Sequence, residues 1–170
     1  VAKRVIAVEL DDKLAGVLKT GLTAKNVKNV EVVNEDILKL QITNYKLKNY
    51  KIVANLPYNI TSIFLRRFLE IDQKPKLMVL MLQKEVAERI CAVKGSMSLL
   101  AVSVQFYADA EIIQIVPKEN FWPKPEVESA IIKITPHPNF LLSKEKEEKD
   151  FPKHLGLKKA NSVRDTIKAI

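Results

Sequence analysis

An apolar run that ends abruptly in an amide and a proline constrains the fold of this chain more than any other feature. The run is Ile52-Val53-Ala54, and Asn55-Leu56-Pro57-Tyr58 follows it. A β-branched run bounded by turn residues is typical of a short strand buried in a parallel sheet. Pro57 cannot donate a ladder hydrogen bond, and it keeps the preceding residue out of the helical region. We therefore expect a stiff strand-to-helix turn that carries an amide, free carbonyls and an aromatic ring.

Similar runs along the chain predict an alternating order of strands and helices. Strands are predicted at residues 4–8, 30–33, 51–54 and 76–83, and helices from Asp11 or Asp12 to Gly21, at about 60–70, at 84–92 and at 99–106. Leu14, Val17 and Leu18 are expected to face inward, and Asn59 or Thr61 is expected to cap the second helix. Strands at 110–116 and 127–135 end the sheet as an antiparallel hairpin. This order predicts an α/β protein with a doubly wound, mostly parallel sheet.

Composition narrows the function classes. The chain carries 28 Lys and Arg against 20 Asp and Glu, a net charge of +8, which favours a polyanionic partner such as nucleic acid. One cysteine excludes an internal disulfide, and together with two scattered histidines it gives no metal-ligand spacing. No run is long and apolar enough to span a membrane. We expect a soluble, cytoplasmic protein without a metal site.

Polar residues stand at or just after the ends of three predicted parallel strands. They are Glu9, Asp36 and Asn55. Each alone could be a helix cap or a loop residue. Together they would line the carboxyl edge of the sheet, where open α/β sheets bind their ligands. Glu9 suits the two hydroxyls of a ribose, and Asp36 suits an adenine amino group, because a carboxylate only accepts hydrogen bonds.

A ribose-binding role for Glu9 has a consequence for the start of the chain. The glycine-rich loop that lets the backbone approach a nucleoside should lie about 20 residues earlier, which is upstream of Val1. The 4 glycines of the chain form no such loop. We therefore expect this sequence to lack its first strand and its cofactor loop.

The motifs resemble those of one enzyme family. Asn55-Leu56-Pro57-Tyr58 with Asn59-Ile60-Thr61-Ser62, the acidic residues Glu9 and Asp36, and the stretch 121–129 are similar to the ribosomal RNA adenine dimethyltransferases, and above all to the bacterial small-subunit enzymes. The resemblance runs from residue 1 to about residue 136. Leu56 matters for this assignment, because DNA adenine methyltransferases carry a second proline there and the resistance methylases of large-subunit RNA usually carry isoleucine.

The resemblance implies a Rossmann-like class I methyltransferase domain over residues 1–136 and the start of a small helical domain over residues 137–170. The absent first strand would lie between the strands at 4–8 and 51–54. The implied reaction is transfer of methyl groups from S-adenosylmethionine to N6 of adenines in small-subunit ribosomal RNA. The implied substrate particle is a precursor of the small subunit, and the enzyme is expected to be a monomer. The implied cofactor contacts are Glu9, Leu10, Asp36, Ile37 and Asn55.

The implied catalytic residues are Asn55, Leu56, Pro57, Tyr58 and Phe121. The Asn55 side-chain oxygen and the carbonyl of Leu56 or Pro57 would accept hydrogen bonds from N6. Tyr58 would stack on the flipped-out base and Phe121 would cover its other face; the alternative for both rings is core packing. Trp122 is expected to be structural.

Two questions stay open at this point. Lys153, Lys158, Lys159, Arg164 and Lys168 in the tail fit either a solvated helix face or phosphate contacts. The chain could also be a resistance-type methylase of large-subunit RNA, or a non-catalytic RNA-binding relative. Methylation mapping and a binding test for the methyl donor separate these possibilities.

Overall fold

The computed structural model describes residues 2–137, so the helical domain expected at 137–170 and the basic tail lie outside the described residues except for His137. The strands in this range are β1 (Val5–Glu9), β2 (Val30–Asn34), β3 (Lys51–Asn55), β4 (Leu77–Gln83), β5 (Ala108–Val116) and β6 (Ser129–Pro136). The helices are α1 (Asp12–Ala24), α2 (Thr61–Glu70), α3 (Lys84–Ile90) and α4 (Leu99–Tyr107). Short 3-10 turns cover Ile42–Tyr45, Tyr58–Ile60 and Lys118–Asn120. The predicted order of strands and helices is confirmed.

The chain divides into two compact units, the first ending at Leu47 and the second beginning at Lys48. In the first unit β1 and β2 form a parallel pair whose register runs from Val5 opposite Val30 to Glu9 opposite Asn34. Both strands therefore end side by side. Asp11 caps α1, because its side chain accepts hydrogen bonds from the N–H groups of Lys13 and Leu14.

The predicted inward face of α1 is wrong in this structure. Leu14, Val17 and Leu18 are 57%, 69% and 38% exposed, whereas Ala15 is buried. The reason is geometric, because the two-stranded sheet of the first unit is too narrow to cover a helix stripe as wide as the one these residues form.

The predicted end of α1 at Gly21 is also wrong. The helix continues to Ala24, and Asn26 follows it with a φ of 53°. Asparagine tolerates this left-handed conformation better than most residues with a Cβ, so Asn26 takes the terminating role expected of a glycine. The N–H groups of Asn26 and Val27 donate to the carbonyls of Thr23 and Leu22, which satisfies the last turn.

The second unit contains a four-stranded sheet in the order β3-β4-β6-β5. β3 and β4 are parallel, and β6 runs antiparallel to both β4 and β5. The antiparallel hairpin predicted at the edge of the sheet is therefore confirmed. Alternate residues of β4 are fully buried, as are the inward residues of β6 and the aromatic rings of α2 and α4; these side chains are Met78, Leu80, Leu82, Ile132, Ile134, Phe64, Phe68 and Phe106.

β3 lies at the edge of this sheet, where it pairs with β4 alone among the described strands. The prediction that this strand is buried is wrong, because β3 is an edge strand with one open face and its middle residue Val53 is 81% exposed. The pairing with β4 runs in register from Lys51 opposite Leu77 to Asn55 opposite Met81. The last residue of β3, Asn55, is thus held beside Met81 of β4, a strand whose alternate residues are buried.

A side-chain amide joins the end of α3 to α4. Gln105 Nε2 donates to the carbonyl oxygens of Ile90 at 2.7 Å and Ala92 at 2.8 Å. Ile90 is the last residue of α3 and Ala92 lies just past it, so their carbonyls have no intrahelical N–H partner. The Gln105 amide therefore supplies the hydrogen bonds that this helix end lacks.

Replacing Gln105 by leucine is expected to lower the free energy of unfolding by about 1 kcal/mol, because two partly buried carbonyls lose their donor while the side-chain volume is kept. The urea midpoint measures the loss. Gln114→Leu is the matched control, since Gln114 is exposed on β5, and it should change stability by less than about 0.5 kcal/mol. Equal midpoints for the two variants would contradict the role of this amide.

Candidate active site

A cavity of about 340 Å³ opens in the second unit where β3 ends. Its walls are the corner that follows β3 and the segment that precedes β6, and the lining residues are Asn55, Leu56, Pro57, Tyr58, Phe121, Trp122, Pro123, Pro125 and Ser129. The five residues predicted to be catalytic therefore line one cavity, although Tyr58 and Phe121 are far apart in the sequence. Ser129, at the start of β6, was not predicted, and it is only 2% exposed.

The corner after β3 is fixed by one main-chain hydrogen bond and one buried side chain. The Leu56 N–H donates to the Met81 carbonyl at 3.2 Å, and the Leu56 side chain is 4% exposed. Pro57 follows with φ near −55° and ψ near 136°, an extended conformation that its ring enforces in φ. Asn55, at the end of the strand, is consequently held at the cavity by a backbone that cannot easily move.

The Pro57 carbonyl is already engaged. It accepts a hydrogen bond from the Ile60 N–H at 3.2 Å and lies 3.5 Å from the Thr61 hydroxyl. The expected capping of α2 by Asn59 or Thr61 is wrong, because the 3-10 turn Tyr58–Ile60 leads into the helix and the capping residue is Ile60, which makes no side-chain cap bond.

Two aromatic rings line the cavity without belonging to the core. Tyr58 is 43% exposed, and Phe121 is half-buried at the end of the 3-10 turn, where its N–H donates to the Lys118 carbonyl at 3.3 Å. The core-packing alternative is therefore wrong for Tyr58. The expectation that Trp122 is structural is also wrong, because a side chain that is 97% exposed contributes almost no packing.

Ion pairs hold the segment that forms the second wall. Lys124 Nζ lies 2.9 Å from Glu119 Oε1, and this contact lowers the pKa of the Glu119 carboxyl. Lys84 Nζ lies 2.7 Å from Glu128 Oε2, and the hydrogen bond to Glu128 raises the pKa of the Lys84 ammonium. The Lys84 N–H also donates to the Glu128 carbonyl at 3.0 Å, so the start of α3 and the start of β6 are joined twice.

The expected cofactor contacts other than Asn55 lie in the first unit. Glu9 ends β1, and its Oε1 accepts the Asp11 N–H at 2.9 Å. Asp36 Oδ1 accepts the Leu38 N–H at 2.9 Å. Each carboxylate is thus oriented by one backbone donor and keeps a second oxygen for a ligand. Leu10 is 71% exposed, and Ile37 is half-buried beside Asp36.

Asn34 is a residue of this region that the sequence reasoning missed. Its Nδ2 donates to the carbonyls of Glu9 at 2.9 Å and Leu10 at 3.1 Å. The Asn34 amide therefore fixes the backbone that carries the Glu9 carboxylate. The sequence gives only its position as a signal, because Asn34 directly follows the apolar run of β2 as Glu9 follows that of β1, and this position does not specify the two hydrogen bonds.

The part of the chain that the structure describes has neither a metal-binding cluster nor a membrane-spanning helix. Residues 2–137 contain no group of three or more His, Cys, Asp and Glu side chains that could hold a metal ion. Within the same range, no helix has both the length and the apolar character needed to cross a membrane.

Comparison with known proteins assigns the chain to a family. The family model described as ribosomal RNA adenine dimethylase matches residues 1–167. The chain belongs to the ribosomal RNA adenine dimethylase family. The resemblance drawn from the motifs around Asn55 and Phe121 is thereby confirmed.

Individual relatives and solved structures are similar to this chain in sequence and in fold. The ribosomal RNA small subunit methyltransferase A of Dehalococcoides mccartyi is 50% identical over 137 residues, which are 78% of this chain and 46% of that protein. A dimethyladenosine transferase from Plasmodium falciparum superposes with a TM-score of 0.75 at 29% identity, covering 86% of this chain and 53% of that one. The 23S rRNA methyltransferase ErmE gives a TM-score of 0.69 at 28% identity, with 84% and 56% covered.

These similarities confirm the α/β methyltransferase fold of this family member. The chain spans about half the length of the curated relatives it matches.

Proposed function

We propose that this chain is part of an S-adenosylmethionine-dependent enzyme that dimethylates N6 of adenines in small-subunit ribosomal RNA. The observation that carries the proposal is the cavity in which an amide at a strand end meets two aromatic rings, those of Tyr58 and Phe121. The family match and the 50% identical small-subunit methyltransferase support it. We propose a methyltransferase domain at residues 1–136 and the start of a helical domain at residues 137–170, acting as a cytoplasmic monomer on small-subunit precursors.

The chemical difficulty lies in the substrate, because the lone pair of an adenine N6 is delocalised into the ring and is a poor nucleophile. Hydrogen bonds from N6–H to the Asn55 side-chain oxygen and to a main-chain carbonyl localise that lone pair and stabilise the positive charge that develops. The Pro57 carbonyl is already occupied by Ile60 and Thr61, so we assign the main-chain role to the Leu56 carbonyl. The rigid backbone of this corner provides the orientation in advance.

The two rings would hold the base in place. An adenine inside a duplex cannot reach the cavity, so the nucleotide must be extruded into it. Tyr58 stacks on one face of the base and Phe121 covers the other. The methylated nitrogen is acidic and loses its proton to solvent through the open side of the cavity, so the site needs no strong general base.

The residues of the first unit fit the methyl donor by their chemistry. When bound, S-adenosylmethionine supplies a methyl group on a sulfonium, which makes that methyl strongly electrophilic. The free oxygen of Glu9 accepts hydrogen bonds from ribose hydroxyls, and that of Asp36 accepts one from an adenine amino group. Leu10 and Ile37 provide apolar surface beside them, and we propose that Asn55 also contacts the donor.

The test of the proposed function is transfer of labelled methyl groups to isolated ribosomal subunits by the intact protein, followed by mapping of the label. Label at N6 of adenines in small-subunit RNA is expected. Label in large-subunit RNA would instead favour the resistance-type activity, to which the similarity with ErmE points. Failure to bind the methyl donor would favour a non-catalytic RNA-binding relative.

Replacing Glu9 by glutamine is expected to weaken binding of the methyl donor about 10-fold, because the charge-assisted hydrogen bonds of a carboxylate are about twice as strong as neutral ones. Isothermal titration calorimetry with S-adenosylmethionine measures the effect. Glu35→Gln is the matched control, since Glu35 is exposed after β2 and only its N–H contacts Glu9. Similar dissociation constants for both variants would remove Glu9 from the donor site.

A further inference from the structure

Trp122 is the most exposed of the large hydrophobic side chains that the structure describes. It is 97% exposed, and yet it lines the cavity that Asn55, Tyr58 and Phe121 form. Single exposed apolar residues are common on protein surfaces and need no explanation by themselves. A fully exposed indole at the rim of a cavity already lined by two aromatic rings is different, because it extends the aromatic surface outward from the site.

The exposure of Trp122 separates its role from that of the other two rings. Tyr58 is 43% exposed and Phe121 is half-buried, so both rings lie partly within the walls. The Trp122 indole lies at the same cavity but is almost fully exposed, so its ring is open to contact with a ligand. A base that occupies the cavity would therefore contact Tyr58 and Phe121, and the indole would meet the next part of the same strand.

We propose that Trp122 stacks on a nucleotide adjacent to the target adenine and so holds the RNA strand as it enters the cavity. This inference rests on the proposed function for the identity of the base in the cavity. Stacking suits the task, because every base has an aromatic face and the contact tolerates any sequence. The chain as a whole carries a net charge of +8, which favours a polyanionic partner such as RNA.

The backbone that carries Trp122 is restricted before RNA binds. Pro123 and Pro125 fix two φ angles of the segment, and both line the cavity. The ion pair between Lys124 and Glu119 joins the two sides of the same segment at 2.9 Å. The backbone of this segment therefore loses little conformational entropy when a base stacks on the ring.

The test uses the intact protein and an RNA oligonucleotide that contains a target adenine. Each nucleotide next to that adenine is replaced in turn by an abasic one, which keeps the phosphate and removes the base. Anisotropy of labelled RNA gives the dissociation constant for the parent, Trp122→Ala and Trp122→Phe, and calorimetry gives the affinity for the methyl donor. Val127→Ala is the matched control, since Val127 is 44% exposed in the same segment and does not line the cavity.

Trp122→Ala is expected to weaken RNA binding about 10-fold, whereas Trp122→Phe stays within about 3-fold of the parent and donor affinity is unchanged. The loss should vanish for the RNA whose stacked neighbour is abasic. The fluorescence of Trp122 is obtained by subtracting the spectrum of Trp122→Phe from that of the parent. RNA should quench this fluorescence, and adenosine alone should not.

Several results would overturn the inference. Parent-like RNA binding by Trp122→Ala would do so, and so would a loss that persists when every neighbouring nucleotide is abasic, because the indole would then contact the target base itself. A parent that binds no RNA would overturn both proposals. The parent could instead bind RNA without methylating it, while Trp122→Ala loses affinity in the predicted pattern. This result would refute the proposed function and leave the stacking role intact.

Discussion

Asn55→Ala is expected to lower the rate of methyl transfer by about 100- to 1,000-fold, the usual cost of removing one hydrogen-bonding group that stabilises charge in a transition state. The side-chain oxygen is lost, while the backbone at position 55 stays bound between β4 and the Leu56 anchor. Single-turnover transfer of labelled methyl to RNA measures the effect. RNA affinity should stay within a few-fold of the parent, because the interaction strengthens only as N6 becomes positively charged.

The control for this prediction lies four residues along the chain. Asn59 is exposed and does not line the cavity, so Asn59→Ala should keep the parent rate. Asn55→Asp keeps an acceptor oxygen and should retain more activity than alanine. A rate of methyl transfer by Asn55→Ala equal to that of the parent would contradict the proposed mechanism, whichever RNA is the substrate.

Tyr58→Ala is expected to lower kcat/KM for RNA by about 30-fold, because stacking of one base on an aromatic ring contributes about 1–3 kcal/mol. Tyr58→Phe keeps the ring and should remain within about 3-fold of the parent, which separates stacking from any hydrogen bond of the hydroxyl. The loss should be distributed over KM and kcat, since the ring both binds the base and orients N6. Steady-state kinetics with RNA as the varied substrate measures it.

A matched control for Tyr58 is available at the start of α2. Ile63 is 59% exposed and lies outside the cavity, so Ile63→Ala removes a similarly exposed apolar side chain without touching the proposed base site. Its kcat/KM should equal that of the parent. If Tyr58→Ala and Ile63→Ala behave alike, Tyr58 does not stack on the substrate.

The strands and the corner at Asn55 could be predicted from sequence because they depend on local physics. Apolar runs define β1 to β4, and a proline directly after an amide leaves few backbone conformations. That Phe121 and Tyr58 share a cavity did not follow from these rules. It came from the family resemblance, and the structure now places both residues at one cavity.

Other features depended on contacts that sequence patterns do not encode. Helical spacing at Leu14, Val17 and Leu18 indicates an apolar stripe, but it cannot tell how much sheet is present to cover that stripe. An asparagine such as Asn34 is equally typical of a turn, so its two hydrogen bonds to the end of β1 became visible only in three dimensions. Aromatic residues are usually buried, which is why the exposure of Trp122 was not anticipated.

The unequal anchoring of the two cavity walls has a consequence for engineering. One wall is built into the sheet through Leu56, which is 4% exposed, so almost any change there also disturbs the folded core. The opposite wall is carried by a surface segment in which Trp122 is 97% exposed and Lys124 pairs with Glu119, another surface side chain. Substrate preference can therefore be redesigned at exposed positions of the second wall such as Trp122, while Asn55 on the first wall and Phe121 are left unchanged.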